Sequence, residues 1–224
     1  MKFITISNER SGSSFLQRLL DSHPNIRARQ EDLRSSHQKN DKFLYDLYFN
    51  SRCKKKTLGF KALYGHLYRG IFDFIKRYNI KVIQLIRRDL LECVLWYRAG
   101  TLANVKDFNK IGPLGTFWKL EDKVEVDIER VKKYLIKLNK DIDKYRRYAD
   151  ITIYYKDFTN NQNSDCFYNK EVRRELLEFL GVDDRELQVS QKINKKNIRP
   201  SSKECIKNWD ELMKELKDIR IYYK

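Results

Sequence analysis

The chain has little of what several common chemistries require. Its four cysteines, Cys53, Cys93, Cys166 and Cys205, are far apart, with no Cys-x-x-Cys pair and no histidine at ligand spacing. Neither a zinc site nor a disulfide framework is expected, and no residue is assigned to a metal. No apolar run is long enough to cross a bilayer, and no basic-then-apolar leader precedes a first strand that starts almost at Met1. The expectation is a chain without a membrane span, kept in a reducing cytoplasm. The Walker pattern Gly-x-x-x-x-Gly-Lys-Ser/Thr is missing too, because no glycine stands five residues before Gly12 and no lysine follows it. An ordinary P-loop NTPase is thereby disfavoured. There is no internal repeat and no domain linker. Lysines and arginines are dispersed with no recognised nucleic-acid motif, so a basic nucleic-acid-binding domain is only a remote alternative and no nucleic-acid partner is expected.

What is present describes a folding, basic chain. At 224 residues, with 41% hydrophobic and 13% aromatic residues, it is long enough and apolar enough to bury a core despite 35% charged residues. One domain spanning 1–224 is the expectation. The formal charge of +16, from 47 Lys and Arg against 31 Asp and Glu, favours an anionic partner. A nucleotide, an acidic glycan, nucleic acid or a lipid headgroup would each answer to it.

The opening stretch is the most informative. Phe3 to Ile6 is a β-prone apolar run, Ser7 to Ser14 a polar segment with one glycine, and Phe15, Leu16, Leu19 and Leu20 fall at helical spacing. A strand, a tight loop and a helix N-terminus offer unpaired N–H groups at the positive end of a helix dipole, with hydroxyls and Arg10 beside them. A phosphate suits that loop. Ser13 or Ser14 acting only as a helix cap suits the same residues.

Downstream, strands and helices alternate. Short strands are predicted at Ile26–Arg29, Thr57–Leu63, Ile80–Ile86 and Ile151–Tyr155, the third an apolar run of the kind buried in parallel sheets. Helices are predicted over Asp41–Phe49, around Leu67–Tyr78, after Arg87-Arg88-Asp89, over Ile128–Tyr145, over Lys170–Leu180 closed by Gly181, and near Glu204–Leu216. This alternation predicts an α/β fold with a central parallel β-sheet flanked by helices. Residues 101–126, with Gly112, Pro113 and Gly115, read as an irregular insert that is either a lid or a plain surface excursion. Residues 188–203 read as a basic tail.

Taken in order, these segments resemble the sulfotransferases that use 3′-phosphoadenosine-5′-phosphosulfate (PAPS), in their bacterial and carbohydrate-type branch. Glu9-Arg10-Ser11-Gly12-Ser13-Ser14-Phe15-Leu16, followed by Leu19-Leu20-Asp21-Ser22-His23-Pro24-Asn25, is similar to the family's 5′-phosphosulfate loop and the His-Pro-Asn that follows it. The resemblance implies a P-loop-like sulfotransferase fold, with Arg10, Ser11, Gly12, Ser13, Ser14 and Phe15 at the 5′-phosphosulfate. Val82–Ala99 resembles the 3′-phosphate motif and puts Arg87 in the role of its strand-end arginine. The serine expected eight residues on is missing: Leu95 stands there, or Trp96 if the count starts at Arg88. Gly59-Phe60-Lys61 with Tyr64 and His66, Tyr155-Lys156-Asp157-Phe158, Glu175–Val182 and Ile206–Leu212 resemble further family segments. In the family the late basic tail folds over the donor, which implies Lys195 and Lys196 near its phosphates.

The implied reaction is in-line transfer of a sulfuryl group from PAPS to a hydroxyl of a carbohydrate, lipid or small alcohol, releasing adenosine 3′,5′-bisphosphate (PAP). Positioning, cations and a base supply the catalysis in such a transfer, without a metal. Glu31 is the base that the resemblance implies, and His66, with its more suitable intrinsic pKa, is its rival. The missing serine motivates an alternative, a protein that binds PAPS or PAP and has lost turnover. Acceptor pockets are built by loops, here 32–40 and 101–126, and neither the acceptor nor the oligomeric state follows from the sequence.

Overall fold

The structure is a computed structural model that describes residues 1–30, 45–46, 49, 54–67, 70–95, 123–158, 169–188 and 202–223. Glu31, Lys195, Lys196 and Trp96, most of the 101–126 insert and nearly all of the 188–203 tail lie outside the described residues. The chain falls into two compact units, Met1–Ile86 with Lys144–Ile193, and Arg87–Asp143 with Asn194–Lys224.

The first unit holds one five-stranded sheet: β1 (Lys2–Ser7), β2 (Ile26–Arg29), β3 (Thr57–Leu63), β4 (Lys81–Ile86) and β5 (Ile151–Tyr154), in the order β2-β3-β1-β4-β5. Every pairing is parallel. A parallel strand covered on both faces has no polar side to show, which is why β1 and β4 are buried at five of six positions and read as continuous apolar runs. The α/β fold with an all-parallel central sheet and flanking helices is the one expected. Strand β5 stops at Tyr154, and Tyr155–Phe158 turns directly into a single helical turn in place of further strand.

Alternation along β1 assigns the two faces. Phe3 points to the side of helix α1 (Ser13–Asp21), where it joins Leu16, Leu19, Leu20, Ile83, Leu85, Ile153, Phe158, Leu176, Leu177 and Leu180 in one buried cluster. On the other face Phe60 meets Phe49, which stacks in turn on Phe74. Helix α2 (Ile71–Arg77) carries Ile71, Phe74 and Ile75 into that side. Leu67, placed by periodicity on the same helix, instead ends a 3-10 turn over Tyr64–His66.

Helix α1 is closed by the segment around His23. The His23 ring is buried, its Nδ1 accepts the Asn25 N–H at 3.1 Å, and its Nε2 lies 3.1 Å from the Asp183 carbonyl oxygen. An acceptor role for Nδ1 and a donor role for Nε2 are met by the neutral imidazole. Lys55 adds its ammonium to the carbonyls of Asp21 and Ile26 at 3.2 and 2.6 Å, a cation at a helix C-terminus. His23-Pro24-Asn25 is thus a structural joint between α1, β2 and the Asp183 segment.

In the second unit residues 90–95 are helical, and α3 (Ile128–Arg146), all but its last three residues in that unit, carries the 3–4 apolar spacing expected of it. Two short pieces, Ser202–Cys205 and Trp209–Glu215, replace the single last helix expected near 204–216. Asn208 is the reason for the break: its side chain accepts from Val126 N–H at 3.0 Å and donates to Val126 O at 2.9 Å, closing a two-way amide clamp.

Gly59 faces Phe3 in register across β1 and β3, and a Cβ there would come within 2.4 Å of the Phe3 ring. A methyl group at that point cannot be absorbed by backbone, so the ring must leave the core cluster. Gly59→Ala is expected to lower the unfolding free energy by about 1–3 kcal/mol, the range for overpacking a tight core. Urea denaturation of the variant checks this, and an unchanged midpoint would refute the packing described.

Candidate functional site

The loop between β1 and α1 sits at the carboxyl end of the central strand. The chain leaves β1 towards β2 and β3 and leaves β4 towards β5, so the ends of these two neighbouring strands form the topological switch point of the sheet. Ligands of open α/β sheets bind outside the carboxyl ends of the strands at such a point.

Backbone conformation shapes the loop. Arg10 has φ +60° and Gly12 φ +92°, two left-handed residues flanking Ser11. Turns of alternating handedness draw successive N–H groups to one concave side, where an anion is favoured. Gly12, not a serine, is the helix N-cap, and it offers no side chain to the first N–H groups. The simple serine-cap reading of Ser13 and Ser14 is replaced by this geometry, with both serines inside the first turn. Phe15 and Leu16 direct their N–H groups to the Gly12 carbonyl at 2.9 and 3.1 Å, so they fasten the loop to α1. The N–H groups of Ser13 and Ser14 precede any intrahelical acceptor and stand at the positive end of the helix.

Buried polar atoms concentrate here. Ser7 and Ser11 are fully buried and Asn8 is 3% exposed, yet Ser7 Oγ, Asn8 Oδ1 and Ser11 Oγ have no hydrogen-bond partner among the described residues. Each such atom costs about 1–3 kcal/mol when left unmade, so three of them within five residues are retained at a loss that bound ligand or water recovers. Hydroxyl donors with convergent N–H groups and the exposed guanidinium of Arg10 suit an anion. The Asn8 oxygen, an acceptor, requires a donor in its turn.

Aromatic rings fix the loop from below. The Tyr155 ring lies against the bare Gly12 backbone, so close that a Cβ on Gly12 would fall 2.2 Å from Tyr155 Cδ2. Tyr155 meets Phe158 edge-on at 5.4 Å, and Phe158 stacks with Phe15 at 6.1 Å. Phe15 was placed at the donor by resemblance; its ring turns to Phe158 and its N–H is taken by Gly12. Two polar pairs hold α1 over β1 and β3. Gln17 Nε2 donates to Thr5 Oγ1 at 2.8 Å, and Lys61 Nζ donates to Ser14 Oγ at 2.7 Å. Thr5 and Lys61 are partners in register, so one row of the sheet supplies both contacts.

The remaining candidates fall as follows. His66 is half-buried in the 3-10 turn after β3, and neighbouring Gly65 stands close to Glu9 Oε1, so this turn borders the loop. Gln30, the last described residue before Glu31, donates from Nε2 to the Ser14 carbonyl at 3.3 Å. Arg87 follows β4 as the first residue of the second unit. The chain after it is pinned by Tyr223 N–H to Arg88 O at 2.8 Å and Leu90 N–H to Ile221 O at 2.9 Å. Leu95 is fully buried within its unit. Among the described residues no His, Cys, Asp and Glu group could hold a metal ion. None of the helices is long and apolar enough to cross a membrane, on the same described residues. A cavity of about 530 Å³, lined by Lys2, Lys56, Leu58, Tyr78 and Lys81 among others, opens at the amino ends of the strands, away from the loop.

Reading the sequence for a site passed over Ser7, Asn8, Lys61 and Tyr155. Lys61 had a signal of its own, a charged residue in the middle of an otherwise apolar strand. Tyr155 had none, since its contact with Gly12 spans 143 positions of chain. No protein-family model matches the chain, and no curated protein sequence matches it either.

Gly12→Ala forces a β-carbon into the Tyr155 ring and into a left-handed conformation that costs an L residue about 1–2 kcal/mol. The variant is expected to lose at least that much stability and to lose binding of inorganic pyrophosphate, measured by denaturation and titration calorimetry. Unaltered stability would show that the ring does not press on the loop.

Proposed function

We propose that this chain is a PAPS-dependent sulfotransferase that moves a sulfuryl group to a hydroxyl acceptor. The observation that carries the reading is the β1–α1 loop. It is a glycine-capped helix start at the switch point of a parallel sheet, with buried, unpartnered Ser7 and Ser11 hydroxyls, and its sequence resembles a 5′-phosphosulfate loop. No Walker lysine follows Gly12 and the loop is short, which suits a phosphosulfate better than a triphosphate with magnesium.

In this reading the N–H groups of Ser13 and Ser14 and the hydroxyl of Ser11 hold the 5′-phosphate, while Arg10 neutralises charge at the phosphosulfate. Such groups stabilise the charge that builds on the bridging oxygen as the S–O bond breaks. Glu31 takes the proton of the acceptor hydroxyl, with His66 as the other base. The resemblance assigns Arg87 to the 3′-phosphate and Lys195 and Lys196 to the phosphates of the donor. The leaving group is PAP and the product a sulfate ester.

Binding without turnover is the second reading, and Leu95 favours it. The 3′-phosphate motif requires a hydroxyl at that point, and Leu95 is an aliphatic side chain with no exposure at all. The two readings part at the chemistry, not at the donor.

PAP is expected to raise the melting temperature of the wild type, since a ligand selective for the folded chain stabilises it, by about 2.7 kcal/mol at a hundredfold excess over Kd. Arg10→Ala should abolish the shift. Glu31→Gln should keep it and remove sulfate transfer from labelled PAPS to a panel of glycan and small-alcohol acceptors. No shift at millimolar PAP would refute both donor readings. A shift with no transfer to any acceptor would select binding alone, and full transfer by Glu31→Gln would pass the role of base to His66.

A further inference from the structure

Most of what the loop offers a ligand is donors. The N–H groups of Ser13 and Ser14 precede any intrahelical acceptor, and the Ser7 and Ser11 hydroxyls can each donate. A site of donors alone holds any oxyanion and does not tell phosphate from sulfate. Two buried amides break that pattern. Asn8, 3% exposed, donates from Nδ2 to the Glu9 carbonyl at 2.6 Å, and Gln17, fully buried, donates from Nε2 to Thr5 Oγ1 at 2.8 Å. Each side chain is held by its nitrogen, and its oxygen, Asn8 Oδ1 or Gln17 Oε1, has no partner among the described residues.

The nitrogen contact settles which way round Asn8 lies. Turned over, its oxygen would stand 2.6 Å from the Glu9 carbonyl oxygen, where two acceptors repel. An amide oxygen accepts and never donates, so what Asn8 Oδ1 lacks is a hydrogen. An anion without one meets it lone pair against lone pair. Asn8 belongs to the loop itself: it follows the last residue of β1 and folds onto the backbone of Glu9, between the buried hydroxyls of Ser7 and Ser11 in the chain. It is also neutral, and Glu9 turns its carboxylate towards Gly65 in the 3-10 turn, so this buried acceptor carries no charge that would reject an anion. Gln17 repeats the arrangement one turn below Ser13 on α1.

A proton separates the two common tetrahedral oxyanions. A phosphate monoester keeps a P–OH up to its second pKa of about 6, whereas a sulfate has no proton to give. We infer that Asn8 is the specificity-determining residue of the β1–α1 loop, accepting from that P–OH and so selecting a protonated phosphate over sulfate. The inference rests on the loop binding an anion and goes beyond reading that anion as PAPS. It also bears on the two readings above, because the 5′-phosphate of PAPS is closed as an anhydride without a P–OH, while that of PAP is a monoester. An acceptor at this place sides with binding over turnover.

Titration calorimetry of the full chain with inorganic phosphate, inorganic sulfate and PAP, at about pH 6 where the phosphates keep a proton, tests it. The wild type is expected to bind phosphate about tenfold or more tightly than sulfate, the effect of one unmade hydrogen bond at a buried group, although sulfate carries the larger charge. Asn8→Leu, which removes the acceptor at similar volume, should erase the preference. Asn8→Asp, which keeps an acceptor, should retain it while its charge weakens both ions. A merely structural asparagine would weaken both ions alike and leave their ratio unchanged. Equal affinity for the two ions in the wild type, or a preference that survives in Asn8→Leu, would overturn the inference, and if PAP still binds, the donor reading stands without it. Phosphate preferred through Asn8, with PAP bound no more tightly than phosphate, would uphold the inference and remove the nucleotide. If the wild type binds none of the three, both fall. Should Asn8→Leu not fold, Asn8→Ala replaces it in the same comparison with the same two outcomes.

Discussion

The contact on which this site depends is that of the Tyr155 ring with the bare backbone of Gly12. It fixes the left-handed turn that ends the loop, and only a residue without a side chain permits both the turn and the ring. From that point order spreads in two directions. Downwards, Tyr155 passes through Phe158 to Phe15 and into the cluster of Leu16, Leu19, Leu20 and Leu176. Upwards, the Gly12 carbonyl gathers the N–H groups of Phe15 and Leu16 and leaves those of Ser13 and Ser14 to face outwards. The hydrophobic core therefore holds a polar loop in a conformation that the loop's own residues do not stabilise.

Electrostatics then decide what such a loop is for. A chain of +16 attracts anions over long range but selects none of them. Selection needs groups whose desolvation has already been met by folding. Ser7, Asn8 and Ser11, buried and without hydrogen-bond partners among the described residues, are polar groups whose desolvation folding has already met. Lys61, buried inside β3, ties the strand to the helix start by donating to Ser14 Oγ at 2.7 Å. The outcome is a loop whose polar atoms are fixed in place by the fold rather than by contacts of their own.

Legibility along the sequence followed the range of the interactions. Strands β1 and β4 were readable almost to the residue, because burial on two faces leaves an apolar run bounded by polar residues, and the edge strand β2 was readable from the alternation of Ile26 and Ala28 with two arginines. Helix α3 was readable because its 3–4 spacing repeats over five turns, and the helix Lys170–Phe179 because Gly181 closes it. The last helix was not: Asn208 looks like any helical asparagine until Val126 is brought to it. Nor was the turn at Tyr155–Phe158, where β propensity lost to Asp157, whose carboxylate accepts the Tyr154 N–H at 2.8 Å.

For the site itself, the sequence alone determined the chemical kind of loop. One glycine between serines, an apolar strand ahead and a helical period behind are local facts, and they suffice to indicate a strand, a tight loop and a helix start. Tertiary structure decided which atoms serve it. Whether a serine caps or faces outwards depends on the φ of Gly12, which the Tyr155 ring enforces from the far end of the sheet. Whether a lysine in β3 reaches the loop depends on parallel register, which puts Lys61 beside Thr5 and within hydrogen-bond distance of Ser14. Both are contacts between residues far apart in the chain, set by how strands pair and how rings pack, and no spacing along the sequence encodes them.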